Sequence, residues 1–396
     1  MAIALEIGRT ALATVVLHKL RSLVTIACLL TVLVPFLTGL GLSKGLEREA
    51  ELSVREGADL YVTARQFDRN VPIPFAAIQP IQAIPGVDDA IPRIVGGIVL
   101  GKDNASAVLV GMPREKFPTS IQCIDGELSR DSRFNELVVG ADLARRLNLK
   151  VGSVIPPFYR SDDGERISKV VGIFASDVGI WQANVIFTTF ETAAHIMNQH
   201  VVATDLLVYC RPGYQEQVAE SIQSLTLSAP HAPQPLRPHV VARDEVASLF
   251  RGGLTHREGI FNLHFTLAFA VAILVLLVTS GLGLPERRRE IAILKATGWQ
   301  TDQILLRSTV ECLVLATIGI CIAVILSFVW LRWLNGYWIA SVFLAGVDTA
   351  PRFPVPFTLT PVPVLLAFLI GLTVALTGTL YSSWRSAIAA PMDAMR

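Results

Sequence analysis

Four apolar segments dominate this chain and limit the folds that it can adopt. They run from Leu23 to Leu42, from Leu263 to Leu284, from Thr309 to Trp333 and from Pro361 to Tyr381. Each reaches the roughly 20 residues that an α-helix needs to cross the hydrocarbon core of a bilayer. The composition agrees, since 52% of the residues are hydrophobic and the mean hydropathy is +0.51. The sequence therefore predicts an α-helical membrane protein with four transmembrane helices.

Basic residues indicate which ends of these segments face the cytoplasm, because short cytoplasmic loops carry an excess of Lys and Arg. They lie before the first segment, between the second and third, and after the fourth: Arg9, Lys19, Arg21, Arg287, Arg288, Arg289, Lys295, Arg307, Arg385 and Arg396. Both termini are therefore predicted to be cytoplasmic. The stretch 43–258 is then extracytoplasmic; its 22 basic and 26 acidic residues give a net charge of −4 and no basic patch that suggests nucleic acid.

This topology divides the chain into nine parts. The cytoplasmic parts are an interfacial helix (1–22), a coupling helix with its loop (285–308) and a tail (382–396). The spans occupy 23–42, 259–284, 309–334 and 361–381. The extracytoplasmic parts are a large domain with helical stalks (43–258) and a loop (335–360).

The large outer stretch has the pattern of a mixed α/β (α+β) domain. Short β-branched and aromatic runs bounded by turn residues predict strands at Leu60–Ala64, Ile94–Leu100, Ser106–Val110, near Ser153, and at Val170–Phe174, Asn184–Thr188 and Leu206–Cys210. Helical patterns predict helices at Pro74–Ile84, Ala141–Leu147, Phe190–Met197 and Tyr214–Leu225. A further helix, from Arg243 to Gly259, is predicted to run into the second span.

The segment from Pro285 to Gly298 follows the second span and is short, basic and amphipathic. Pro285 suits the first position of a helix, Glu286 suits its positive end, and Gly298 marks a stop. Ile291, Leu294 and Gly298 fall on one face, three and seven residues apart. Such a helix between two spans is a contact surface for a partner; the alternative is an interfacial helix held by anionic lipid.

Few other residues suggest chemistry. The sequence has no Gly-x-x-x-x-Gly-Lys-[Ser/Thr] string for nucleotide phosphates, and no Gly-x-Ser-x-Gly or His-Glu-x-x-His string for hydrolysis. Its seven histidines are scattered, so no metal site is predicted. Cys123 and Cys210 both lie in the outer stretch and either form a disulfide or stay free. Glu311, near the start of the third span, either carries function or lies at the interface or on a protein-facing side.

Three strings of the chain resemble the FtsX-like, MacB-type (type VII) ABC transporter permeases. They are Lys19–Leu23 at the first span, Glu286–Gly298 after the second, and Pro391–Arg396 at the tail. The tail departs from the family's Pro-x-Glu-Ala-Leu-Arg at two positions, with Asp for Glu and Met for Leu. Val138–Leu147 in the outer stretch is a looser match. The resemblance covers the whole chain, and the strings together are specific.

This resemblance implies a permease subunit with a MacB-like periplasmic core domain, in the inner (plasma) membrane, that is not itself catalytic. It implies a separate ABC ATPase subunit that binds ATP and Mg, while this chain binds no cofactor. It also implies a dimer with a second permease copy or a paralogue, contact with membrane lipid, and a periplasmic adaptor or lipoprotein as further partner. The residues that would contact the ATPase are Glu286, Arg287, Arg288, Arg289, Glu290, Ile291, Leu294, Lys295 and Gly298.

Three functions are compatible with these features. The first couples ATP hydrolysis to extracytoplasmic movement, or mechanotransmission, and drives export or extraction of an apolar or lipid-linked substrate. The second, as in the cell-division members of the family, uses the same movement to control a cell-wall hydrolase. The third is a membrane-anchored sensor without an ATPase. The length of the outer stretch, about 216 residues, favours the first, because the cell-division members have a much smaller outer domain.

Overall fold

The structure, a computed structural model, divides into two compact units. It describes residues 2–100, 105–128, 135–155, 160–161, 164–165, 168–199, 201–227, 235–282, 284–343 and 354–388. A helical unit comprises Met1–Gly45, Leu254–Pro351 and Phe357–Arg396, and an α/β unit comprises Leu46–Gly253 and Arg352–Pro356. The tail string Pro391–Arg396 and residues 344–353 of the predicted outer loop lie outside the described residues.

Twelve α-helices are present in the described residues. They are α1 (Ala2–Leu17), α2 (Lys19–Arg55), α3 (Ile78–Gln82), α4 (Ala141–Leu147), α5 (Gly179–Asn184), α6 (Phe190–Met197), α7 (Gln215–Gln223), α8 (Arg243–Leu282), α9 (Leu284–Ala296), α10 (Thr301–Leu334), α11 (Ile339–Phe343) and α12 (Pro361–Ile388). The long helices α2 and α8 both continue well past the apolar segments predicted from the sequence. In particular, α8 is unbroken through Gly252 and Gly253.

Three described helices are long and apolar enough to cross a membrane, namely Lys19–Arg55, Arg243–Val278 and Thr301–Leu334. The described apolar part of α12, Pro361–Thr377, is shorter, so the fourth span stays a prediction. Along α8, large apolar side chains such as Leu263, Leu267 and Val278 are more than half exposed. A soluble helix would bury such residues, and their exposure fits a helix that lies against lipid or another span.

Small residues allow the spans of the helical unit to pack closely. Gly319 of α10 faces Leu29 of α2, and Ser327 of α10 donates a hydrogen bond of 3.1 Å to the carbonyl oxygen of Val34. Gly39 of α2 lies directly against the ring of Phe261 of α8, so closely that a methyl group at this position would meet the ring at 1.8 Å. Small residues at such contacts are typical of helix packing in membranes.

The α/β unit is built on an eleven-stranded sheet formed by described residues. Its strands and those of the two small sheets are β1 (Leu60–Gln66), β2 (Arg69–Val71), β3 (Ile73–Pro74), β4 (Val87–Leu100), β5 (Ala105–Gly111), β6 (Ile121–Gly126), β7 (Glu136–Gly140), β8 (Val154–Ile155), β9 (Arg160–Ser161), β10 (Gly164–Glu165), β11 (Ser168–Ser176), β12 (Val185–Thr188), β13 (Val202–Ala203), β14 (Asp205–Cys210) and β15 (Arg237–Ala242). The order in the large sheet is β15-β1-β14-β4-β5-β12-β7-β11-β6, with β2 beside β1 and β8 beside β11.

One long strand, β4, joins the two halves of this sheet. Its first part, from Val87 to Arg93, pairs antiparallel with β14, and its second part, from Ile94 to Leu100, pairs antiparallel with β5. Ala90 contributes to the core of the first half and Ile94 to the core of the second. Ile91, on the opposite face, joins a third apolar cluster that includes Phe174 and Phe187.

Most strands and helices predicted for this unit are present, with ends shifted by one to a few residues except at β4, which begins seven residues earlier than predicted. The predicted helix Pro74–Ile84 is shorter, because Phe75–Ala77 forms a 3-10 turn before α3. One α-helix and eight strands of this unit were not predicted: α5, β2, β3, β6, β7, β9, β10, β13 and β15. Strand β6 is exposed except at Ile121, so it lacks the alternation of apolar and polar residues that identifies a half-buried strand.

Candidate functional site

The basic segment predicted to be a contact helix is a separate helix, α9, between α8 and α10. It begins at Leu284, one residue before the predicted start at Pro285. Gly298 ends it as predicted: its φ is +95°, and the N–H of Trp299 donates a 3.0 Å bond to the carbonyl oxygen of Leu294. Glycine adopts this left-handed conformation without a Cβ penalty.

One face of α9 is buried against the chain itself. Ile291 and Ala292 are each only 5% exposed, and Ile291 packs with Ile304 of α10. Leu294 and Trp299 border the same small cluster. This face therefore holds α9 on α10, and the predicted contact of Ile291 with a partner stays a prediction. Leu294, which is half-buried, contributes to the same attachment.

The opposite face of α9 is exposed in the described residues. Arg289, Ile293 and Ala296 lie on it, spaced by four and three residues, and Ile293 is 58% exposed. Lys295 is half-buried. The helical backbone includes Glu286, Arg287 and Arg288, whose side chains lie outside the described residues. The sequence analysis did not single out Ile293 as a residue of the exposed face. Ile293 lies about 200° from Ile291 on a helical wheel, so it falls on the exposed face once Ile291 is known to be buried.

Polar contacts of Glu290 connect α9 to α10 and to the junction between α1 and α2. Oε1 of Glu290 lies 3.5 Å from Nη2 of Arg307 on α10 and 3.6 Å from Nε2 of His18, which separates α1 from α2. Nη2 of Arg307 also donates a hydrogen bond to the hydroxyl of Thr14 on α1. In the structure the carboxylate of Glu290 contacts its own chain, and its predicted contact with a partner stays a prediction.

Glu311 lies on the protein-facing side of α10. Its side chain is 7% exposed, and its carboxylate accepts a hydrogen bond from Arg21 of α2. The protein-facing interpretation of this residue is therefore confirmed. A buried carboxylate with a guanidinium partner is satisfied, so Glu311 needs no ligand to explain it.

The ends of α2 and α8 are bound into the α/β unit by polar contacts. The carboxylate of Glu49 on α2 accepts a 3.4 Å hydrogen bond from the backbone N–H of Ile180 on α5, and burial raises its pKa. Glu56, directly after α2, accepts a 3.1 Å bond from the hydroxyl of Thr119. At the start of α8, Arg243 donates a 2.8 Å bond to the carbonyl oxygen of Gly57 and lies 3.1 Å from Asp59.

A cleft of about 610 Å³ lies beside these contacts in the α/β unit. Its lining includes five aromatic residues: Tyr61, Phe117, Trp181, Phe187 and Tyr209. Arg93 stacks over Tyr61 at 5.6 Å from the ring centroid and holds Asp205 at 2.6 Å. Burial opposes the charge of Arg93, but the carboxylate of Asp205 outweighs it and raises the pKa of the guanidinium. Burial also raises the pKa of Tyr61 and Tyr209, so both phenols are neutral at physiological pH.

The two outer cysteines are free thiols rather than a disulfide. Cys123 lies on β6 at one end of the sheet, and Cys210 lies on β14, with five strands between them in the sheet order. Neighbouring strands are about 4.8 Å apart, so this separation is far beyond disulfide geometry. Within the described ranges, no group of three His, Cys, Asp or Glu residues is placed to hold a metal ion.

Comparison with known protein families agrees with this architecture of long apolar helices and a large α/β domain. Residues 22–225, about half of the chain, match the family described as the MacB-like periplasmic core domain. Residues 262–391 match the family described as the FtsX-like permease C-terminal domain. Together they define a membrane protein of the permease class. The chain belongs to the MacB/FtsX-like ABC transporter permease family.

Three solved structures with similarity to this chain are single regions or domains of larger proteins. The periplasmic region of MacB from Actinobacillus actinomycetemcomitans shares 13% identity at a TM-score of 0.36, covering 50% of this chain and 95% of that one. The extracellular domain of the noncanonic ABC-type transporter YknZ from Gram-positive bacteria shares 11% identity at a TM-score of 0.33, covering 41% of this chain and 90% of that one. A domain of a putative permease from Porphyromonas gingivalis shares 19% identity at a TM-score of 0.32, covering 47% of this chain and 91% of that one.

Proposed function

We propose that this chain is the membrane subunit of an ATP-driven transporter and that a separate ATPase binds the exposed face of α9. The observation that carries this proposal is the division of α9 into two faces. Ile291 fixes the helix to α10, while Arg289, Ile293 and Ala296 remain exposed among the described residues. A partner that binds this exposed face can push on α9 without unseating it, because packed helices move as rigid bodies.

ATP and Mg belong to the ATPase in this proposal, and the permease contributes no catalytic group. The basic residues of α9 instead attract the partner, because Arg289 and its neighbours Arg287 and Arg288 provide positive charge for acidic groups of the ATPase. The same charges keep α9 on the cytoplasmic side of the inner (plasma) membrane, with both termini also cytoplasmic.

Movement of α9 is proposed to reach the outer domain through α2 and α8, by mechanotransmission. Between Leu42, the end of the predicted span, and Arg55, α2 continues for about 20 Å at 1.5 Å per residue. Its end contacts Ile180 and Thr119 of the α/β unit through Glu49 and Glu56. These contacts support a helix that acts as a lever rather than a tether.

The substrate we propose is apolar or lipid-linked and is exported or extracted at the outer side. A second copy of this chain or a paralogue completes a dimer, and a periplasmic adaptor or lipoprotein receives the substrate. The second candidate function is control of a cell-wall hydrolase by the same movement. Its support is the same pair of continuous helices, α2 and α8, while the large α/β domain, with its cleft of about 610 Å³, favours transport.

The binding of the ATPase is tested with a charge on the exposed face of α9. The experiment co-expresses the chain with each ABC ATPase of the same genome that lacks its own membrane spans and measures their co-purification. Ile293→Asp should weaken binding by roughly 30-fold or more, because a carboxylate in an apolar contact costs at least about 2 kcal/mol. The matched control is Leu249→Asp, which charges another large apolar residue that is 66% exposed, on α8. Full recovery of the ATPase with Ile293→Asp contradicts the proposal.

Mechanotransmission is tested by making α8 flexible. A Gly-Ser insertion after Glu258 should leave ATPase co-purification intact but abolish the ATP-dependent change in labelling of an engineered Thr119→Cys, which sits where α2 meets the α/β unit. The control carries the same insertion after Gly213, an exposed turn position. An insertion after Glu258 that preserves the ATP-dependent change rules out the lever.

A further inference from the structure

We infer that Arg307 is a positioning residue that joins α9 to both α10 and α1, so that the N-terminal helix moves with the ATPase-binding helix. This inference rests on the proposed role of α9, and it adds α1 to the coupling machinery. The three helices meet at a single guanidinium. Its location on α10, one turn past Ile304, places it beside the apolar cluster that seats Ile291.

The contacts of Arg307 are made on two sides. On the α9 side, Nη2 lies 3.5 Å from Oε1 of Glu290. On the α1 side, the same nitrogen donates to Oγ1 of Thr14, whose own hydroxyl donates 2.8 Å to the carbonyl oxygen of Thr10. His18 approaches Glu290 from the end of α1 at 3.6 Å. Glu290 is therefore held from α10 and from the α1–α2 junction at once.

Burial makes these contacts matter more than an ordinary surface ion pair. The side chain of Arg307 is only 13% exposed, and Thr14 is 4% exposed. A guanidinium withdrawn from water needs compensation, and Nε of Arg307 is buried with no hydrogen-bond partner in the described part of the chain. Glu290 supplies the opposite charge, although at 38% exposure its own side is more hydrated.

The geometry favours arginine in particular at this position. A guanidinium is a planar fork with several donors, so it can contact a carboxylate on one helix and a hydroxyl on another. A lysine ammonium at the same place retains the charge but reaches two partners less well. Arg307→Lys should therefore preserve part of the connection, and Arg307→Met should remove it.

Helix α1 is attached to this group by its buried side. Ala11 and Thr14 are 0% and 4% exposed, whereas Leu12 and Val16 on the outer side are 53% and 64% exposed. A displacement of α9 is thus delivered through Arg307 to α10 and α1 together. The exposed apolar side of α1 is the part that a lipid surface would hold.

The connection is measured first in the permease alone, without any ATPase. Spin labels at Leu12→Cys on α1 and Ala296→Cys on α9, in a background with the five native cysteines replaced, report the distance between the two helices. The parent should give one narrow distance distribution, and Arg307→Met should broaden it. The control, Arg332→Met, removes an exposed arginine at the far end of α10 and should leave the distribution unchanged.

The second measurement uses the complex with the co-expressed ATPase. Arg307→Met should lower the permease-dependent ATP hydrolysis rate by about two- to fivefold, a loss expected for a partly exposed ion pair, while ATPase co-purification persists. Glu290→Arg and Arg307→Glu should each have the same effect, and the double variant that exchanges the two charges should recover part of the hydrolysis rate and part of the narrow distance distribution, because it restores the ion pair but not the donation to Thr14. Such recovery would assign the loss to the interaction between the two charges rather than to a general effect of either substitution on folding.

The outcomes separate this inference from the proposed function. A distance distribution that stays narrow in Arg307→Met overturns the connection, whatever the ATPase does. A broadened distribution with unchanged ATP hydrolysis overturns the coupling role of Arg307. If the parent chain retains no ATPase, the proposed function fails, and the distance measurement with its charge-exchange rescue still decides whether Arg307 joins the helices.

Discussion

The contact between Gly39 and Phe261 gives the sharpest stability prediction, because it joins α2 and α8, the two helices proposed to carry movement. A Cβ at position 39 would lie 1.8 Å from the ring of Phe261, whereas carbon atoms in contact are separated by about 3.5–4 Å. The ring or a helix must therefore shift by roughly 2 Å. Overpacking of this kind costs about 1–3 kcal/mol, so Gly39→Ala should lower the free energy of unfolding by that amount.

The matched control is Gly319→Ala on α10. A Cβ there would lie 3.4 Å from Leu29, an ordinary contact, so this variant should unfold like the parent. Unfolding is followed by tryptophan fluorescence in mixed micelles of increasing SDS content. In a Phe261→Ala background the ring is absent, so Gly39→Ala should cost nothing more. Two results together would refute the close packing of α2 on α8. They are equal free energies of unfolding for Gly39→Ala and Gly319→Ala, and a cost of Gly39→Ala in the Phe261→Ala background that equals its cost in the parent.

Three further predictions follow from burial and topology. Ile291→Ala should lower the free energy of unfolding by about 2–5 kcal/mol, whereas Ile293→Ala should change it by no more than about 0.5 kcal/mol. Equal changes for the two variants in chemical unfolding would mean that the faces of α9 are misassigned. In intact cells, and in a background with the five native cysteines replaced, an impermeant maleimide should label Glu216→Cys and miss Arg289→Cys. Labelling at position 289 would overturn the orientation. Burial, with a smaller effect of Asp59, raises the pKa of Cys210 to about 11. Because only the thiolate reacts, the alkylation rate of Cys210 should rise about tenfold per pH unit from pH 8 to 10. A rate that reaches a plateau near pH 9 would contradict this prediction.

The sequence was most informative where one physical rule acts alone. The lengths of the apolar segments identified the long helices. The positive φ of Gly298 could be expected from its residue type, because glycine adopts this conformation readily. The orientation of α9 was harder, because helical periodicity shows that Ile291 and Leu294 share a face but not what that face contacts. Ile304, the residue that buries Ile291, lies thirteen positions away across a turn. Only the packing of α9 against α10 distinguishes an internal face from an external one.

Tertiary pairing also explains the other differences. The contacts of Arg307 join residues 293 positions apart in sequence, and no local pattern predicts such a pair. Strand β6 is recognised only by its neighbour, since its side chains are exposed and its hydrogen bonds go to β11. Whether Cys123 and Cys210 can form a disulfide depends on the strand order, which cannot be read from their spacing in the sequence.

The shared strand β4 has a consequence for how the α/β unit loses its structure. Ala90, Ile91 and Ile94 belong to three different apolar clusters, yet they are neighbours on one strand. Removing β4 would leave β14 and β5 each with an unpaired edge and would open all three clusters together. Two halves that share a strand cannot melt separately. The unit should therefore exchange its slowest amide hydrogens in a single cooperative event, with β4 among the last segments to open.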